Sequence, residues 1–214
     1  MLKNAKTRPD LFLLLSLLLV ILLYPALDHG DFRRLILVAV LFVPVILSTV
    51  RLSQIRAWVR PSVLLMLGVL VSSAVSMIHP SRAVMGTKWG LLAGFFGLTV
   101  IGLFSYLRHA RDITPSHLYT AVSIYLLLGL QWFALYSAID AFFPGAIMHN
   151  NATATDRSSE LLYFSLVTLS TIGYGDVVPV GGEVRMLAAL EGIAGVLYIA
   201  ITVALLVSSY RSRD

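Results

Sequence analysis

The 214-residue chain contains no cysteine, so neither disulfides nor thiolate metal sites are available to it. Charge is scarce too: Asp, Glu, Lys and Arg make up 13% of the residues, against about 25% in an ordinary soluble domain. With 58% hydrophobic residues and a mean hydropathy of +0.86, that scarcity excludes a water-soluble globule. Its 16 basic residues outnumber 11 acidic ones; in so apolar a chain the surplus marks cytoplasmic loops, and no nucleic-acid partner is expected. His29, His79, His109, His117 and His149 lack metal-ligand spacing. There is also no nucleophile constellation, phosphate loop or internal repeat, so no enzyme, catalytic residue or cofactor is expected.

What the chain does have is long apolar stretches, at 11–27, 35–50, 62–78, 89–107, 117–139 and 186–210, the last broken only by Glu191. They predict an all-α membrane protein of six transmembrane helices. The second is the weakest, since 16 residues rise only about 24 Å through a core about 30 Å thick. Lys3, Lys6, Arg8, Arg51, Arg56, Arg60, Arg108, Arg111, Arg211 and Arg213 fall on one side of this topology, with six basic residues on the other. The richer side should be cytoplasmic, with both termini there, in an integral protein of the cell membrane.

Between the fifth and sixth stretches a polar loop, 142–159, leads into an apolar run at 161–169, preceded by Asp156, Ser158 and Glu160 as cap and first-turn acid. A helix of about 13 residues is too short to span, so it should re-enter the membrane on the side it came from. After it come Thr171, Ile172, Gly173, Tyr174, Gly175 and Asp176. Glycines permit alternating backbone angles that turn successive carbonyls the same way, and lack the side chain that would keep four such loops apart.

This run resembles the selectivity filter of potassium channels. The resemblance covers about 117–213 and is dense in the last stretch at Ile193, Ala194, Gly195, Val196, Leu197, Ile199, Ala200, Val207 and Ser208. It implies a K+ site formed by Thr171, Ile172, Gly173 and Tyr174, completed by Gly175, with filter support from Tyr163, Val167, Thr168 and Asp176. Gly192, Val196, Ile199 and Val203 would line the cavity, and Gly195 would stand where the family has a gating hinge, although close helix packing also calls for a glycine. Three departures stand out. Thr202, Val203 and Ala204 replace the Pro-Val-Pro of voltage-gated members, Tyr163 stands where relatives have a Trp bonded to the acid behind the filter, and Val167 replaces the Glu behind the filter of some bacterial channels.

The first four stretches carry no charge, whereas steep voltage gating uses about 3 to 4 charges per subunit. Gly90 and Gly94 form a Gly-x-x-x-Gly pair suited to close packing. The chain stops at Asp214, so no ligand-sensing tail is expected. The expected organisation is a four-helix domain, 1–113, followed by a pore domain, 114–214. One filter per chain implies a homotetramer passing K+ passively, without strong voltage gating. A weakly selective cation channel, a transporter or an accessory subunit with a pore-like loop are the alternatives. Glu191, an intramembrane acid, should either brace the back of the filter through Ser165 or Thr168, or face the cavity and concentrate cations.

Overall fold

The computed structural model describes residues 9–27, 59–108, 114–149 and 157–211. In chain order these form α1 (Pro9–Leu27), α2 (Val59–Ile78), α3 (Arg82–Arg108), α4 (Pro115–Phe142), β1 (Ile147–His149), α5 (Arg157–Leu169), β2 (Val177–Pro179) and α6 (Gly182–Arg211). Among the described residues four helices, α2, α3, α4 and α6, are long and apolar enough to cross a membrane. The stretch at 11–27 forms α1, whose apolar part, Pro9–Pro25, is shorter than the other four. The stretch at 35–50 and its Pro44 lie outside the described residues.

The helices run further than the charge-free stretches that announce them. α3 begins at Arg82, seven residues before 89, and Lys88 folds its ammonium over the Trp89 ring at 4.8 Å from the centroid. Charge marks where apolar surroundings should end; helical hydrogen bonding continues past that point, and long basic side chains reach back to water. Local chemistry sets the start of α4: Thr114 is extended, Pro115 occupies the first turn, and the Thr114 N–H donates to His117 Nδ1 at 3.1 Å.

The core lies where α1, α3 and α4 meet, built from side chains such as Leu13, Leu17, Phe95, Leu103, Ile124 and Phe133. Trp89 and Tyr24 each set a ring edge-on to Phe133, at 5.2 and 5.4 Å. At one end of the bundle the buried Asp10 accepts a hydrogen bond from Ser116, fixing α1 to the first turn of α4. The Gly-x-x-x-Gly expectation needs correcting. Among the described residues a Cβ on Gly90 would meet nothing within 4 Å, and one on Gly94 only Leu65 at 3.6 Å. The close approaches in α3 come at Gly86, against the Phe142 ring, and Gly97, where a Cβ would lie 3.2 Å from Gln131.

α5, 13 residues long, rises about 20 Å, less than a bilayer core. Glu160 occupies its first turn, as expected; Ser158 is already helical, and Asp156 lies outside the described residues. Strands β1 and β2 pair antiparallel, Ile147 opposite Pro179 and His149 opposite Val177. This ribbon, which nothing in the sequence reading anticipated, ties the segment after α4 to the segment after the Gly-Tyr-Gly run.

Candidate ion-conduction site

α5 ends at Leu169 and the chain turns at once into the Thr171–Gly175 loop. Its amides point back to the helix: Thr171 N–H donates to the Thr168 carbonyl at 3.0 Å, and Ile172 and Gly173 both donate to the Val167 carbonyl, at 2.9 and 3.3 Å. Val167 and Thr168 thus hold the loop through backbone oxygens, which would otherwise be the unpaired carbonyls of a helix end. Thr171, Gly173 and Gly175 have positive φ angles of 60°, 52° and 80°, whereas the intervening Ile172 and Tyr174 do not. Left-handed conformation at every second residue rotates successive peptide planes so that their carbonyls share a side. Among the described residues no backbone hydrogen bond ends on a carbonyl of residues 171–175 outside the regular elements. Five consecutive acceptors are therefore available.

The loop is exposed in the single chain; Tyr174 retains 71% of its surface and Ile172 55%. Tyr163, from the second turn of α5, lies nearly parallel to Tyr174, rings 6.4 Å apart at 8°, and its hydroxyl interacts with the Asp176 carboxyl. Asp176 also accepts from the Val177 N–H at 3.1 Å. Tyr163 and Asp176 are thus neighbours, with a phenol making the contact.

α6 turns one stripe inward, Glu191, Gly195, Tyr198 and Thr202, spaced by three and four residues, with Glu191 and Gly195 against α5 and Tyr198 against α4. Gly195 sits so close that an added Cβ would lie 2.0 Å from the Leu169 carbonyl oxygen and 3.0 Å from its carbon; at Gly192 the nearest atom is the Thr168 oxygen at 3.6 Å. Val196, Ile199 and Val203, by contrast, are each about half exposed, on a face separate from the packed stripe. Glu191 is fully buried. Its Oε1 lies 2.6 Å from Ser165 Oγ on α5, and its Oε2 accepts from the Tyr136 hydroxyl on α4 at 2.8 Å.

Ser165 was among the partners anticipated for Glu191, but Tyr136 was missed. The available signal was that Tyr136 is one of three tyrosines in α4, and an acid inside a membrane needs donors from more than one side. Tyr125 and Tyr198 were missed in the same way. Tyr125 donates to the Leu169 carbonyl at 3.3 Å, and Tyr198 donates to the Ala121 carbonyl at 2.6 Å.

Residues 120–212 match the family described as "Ion channel". Potassium channels are among the proteins to which the chain is similar. The chain is similar to two pore potassium channel b of Oryza sativa subsp. japonica, 42% identical over 72 residues, covering 34% of this chain and 18% of the relative. Two pore potassium channel a of the same plant is 34% identical over 80 residues, covering 37% and 20%. Potassium voltage-gated channel subfamily A member 5 of Oryctolagus cuniculus is 33% identical over 86 residues, covering 39% and 14%. The chain thus spans a fifth or less of the length of these relatives, and no solved structure is a significant match. The family is one of membrane channels, not of enzymes.

Proposed function

We propose that the chain forms a homotetrameric, potassium-selective channel that conducts K+ passively, with six spans per subunit, α5 re-entrant, and both termini in the cytoplasm. The observation that carries the reading is the loop geometry: alternate positive φ angles at Thr171, Gly173 and Gly175, with the loop amides tied to α5. Four such loops around an axis would present stacked rings of carbonyls from Thr171, Ile172, Gly173 and Tyr174, replacing the hydration shell of a K+ ion. A single loop cannot surround an ion, and the exposure of Ile172 and Tyr174 in one chain supports their being covered by other subunits. The half-exposed Val196, Ile199 and Val203, with Gly192, suit a water-filled cavity below the filter. The carboxyl end of α5 directs its negative dipole toward that cavity, where a hydrated cation gains from it.

The test is single-channel recording of the purified protein in a defined bilayer, with K+ and Na+ on opposite sides. We expect a reversal potential close to that of a K+ electrode; equal permeability would overturn the selectivity, and absence of unitary currents would overturn conduction. Mass measurement in detergent should give four copies, and a conducting monomer would refute the assembly.

Voltage dependence provides a separate prediction. The apolar stretches that precede the channel segment carry no basic residue, and each charge crossing the full field would contribute about 2.3 kcal/mol per 100 mV. Open probability should therefore change shallowly with voltage. A curve equivalent to several charges per subunit would contradict the assignment.

A further inference from the structure

Ser165 has one hydroxyl proton and two oxygen neighbours. Its Oγ lies 2.6 Å from Glu191 Oε1 and 2.8 Å from the Gly129 carbonyl oxygen, both ordinary O–H···O distances. Each of these two contacts requires a hydrogen between the oxygens, since lone pairs facing each other at that separation repel. If Glu191 were a carboxylate, Ser165 would supply the only proton, and one contact would be left bare. Tyr136 cannot supply the other, because its proton already points at Glu191 Oε2 at 2.8 Å. The count closes only when the missing hydrogen is on Glu191 itself.

We propose that Glu191 is held as a neutral carboxylic acid and acts as the middle link of a one-way relay: Tyr136 donates to Glu191 Oε2, Glu191 Oε1 donates to Ser165, and Ser165 donates to the Gly129 carbonyl. The relay joins α4, α5 and α6 through three side chains and leaves no donor unused. The surroundings favour neutrality. Glu191 is fully buried, and its side-chain partners are Ser165 and Tyr136, with no basic side chain among the described residues paired to it. The other titratable group that senses it is again a phenol, Tyr125 of α4, which donates to the Leu169 carbonyl. An uncompensated buried charge would be costly there, whereas a neutral acid satisfied on both oxygens is not.

Ser165 stands one turn before Leu169, whose carbonyl abuts Gly195, so Glu191 is a positioning residue for the end of α5 from which the filter loop hangs. That consequence rests on the pore reading; the proton count does not. The test is infrared difference spectroscopy of the full chain in lipid bilayers at neutral pH, wild type against Glu191→Gln. We expect the wild type to show the carbonyl stretch of a protonated, hydrogen-bonded carboxylic acid, equivalent to one group per chain, that is lost in the variant. In Ser165→Ala the same band should move to higher frequency, since the acid loses its acceptor; Tyr136→Phe offers a second shift if that variant does not fold. Loss of carboxylate bands instead of the acid band in Glu191→Gln would overturn the proposal, and so would an acid band indifferent to both neighbours. None of these readouts needs ion flux, so a channel that fails to select K+ would leave the result standing.

Discussion

Gly173→Ala and Gly175→Ala are each expected to abolish K+ conduction or K+ selectivity while the chain still folds and assembles. The cause is not crowding among the described residues, where a Cβ on either glycine would meet nothing within 4 Å. It is conformational. Gly173 at φ 52° and Gly175 at φ 80° occupy the left-handed region, where an L residue costs about 1–2 kcal/mol. Relief of that strain would flip a peptide plane and turn one carbonyl away from its neighbours, breaking a ring of four at once in a tetramer. Gly145 supplies the control: it has φ 89°, equally open surroundings, and a place in the loop between α4 and β1 rather than the filter. Gly145→Ala should lower stability by about the same 1–2 kcal/mol and leave the reversal potential under mixed K+ and Na+ unchanged. Retained selectivity in both filter variants, or equal loss of it in Gly145→Ala, would sink the filter assignment.

The loop proposed as the filter was legible in the sequence because its chemistry is local. Thr171, Ile172, Gly173, Tyr174 and Gly175 are contiguous, and the glycines announce the backbone angles that the loop adopts. α5 was legible for the same reason: its length and its first-turn acid lie within 13 residues. The bracing behind the filter was not, because it is made by pairs far apart in the chain. Tyr136 meets Glu191 across 55 positions, Tyr125 reaches the Leu169 carbonyl across 44, and Tyr198 reaches Ala121 across 77. A helical period says which face a residue shares with its neighbours on the same helix; it does not say which helix that face meets. The β1–β2 ribbon escaped notice because three-residue strands carry too few alternations to register against turn-rich surroundings.

In the first half the stretches at 11–27, 62–78 and 89–107 lie in helices, and their contacts were read less well. The charge-free stretch at 89–107 lies inside α3, yet the glycine pair chosen for its spacing, Gly90 and Gly94, is not where the helix is approached most closely. Gly-x-x-x-Gly permits two backbones to come together; whether they do depends on the partner surface. Here the bulky neighbours, the Phe142 ring and the Gln131 amide, come against Gly86 and Gly97. The same distinction governs α6, where register with a family pattern singles out Gly195 as a hinge and the packing shows a second demand on that position.

Gly195→Ala is expected to destabilise the assembled channel by about 3 kcal/mol or more per chain, at the upper end of what overpacking a core costs. Two effects oppose each other. Alanine in place of glycine inside a helix stabilises by about 1 kcal/mol. Against that, the new Cβ would lie 2.0 Å from the Leu169 oxygen and 3.0 Å from its carbonyl carbon, both backbone atoms that no rotamer change can remove. α6 must then withdraw from α5, or the end of α5 must shift and carry Thr171 with it, so the clash wins. Gly192→Ala is the matched control. Its nearest contact would be the Thr168 oxygen at 3.6 Å, ordinary van der Waals distance, so the helix-propensity gain should survive and stability should hold or rise slightly. Thermal denaturation of the two variants in one detergent, read beside open probability in bilayers, separates the roles of Gly195. Close approach predicts a lower midpoint and reduced assembly for Gly195→Ala alone. A pure hinge predicts an unchanged midpoint with altered opening, and that result would show that α6 relaxes from α5 at no cost.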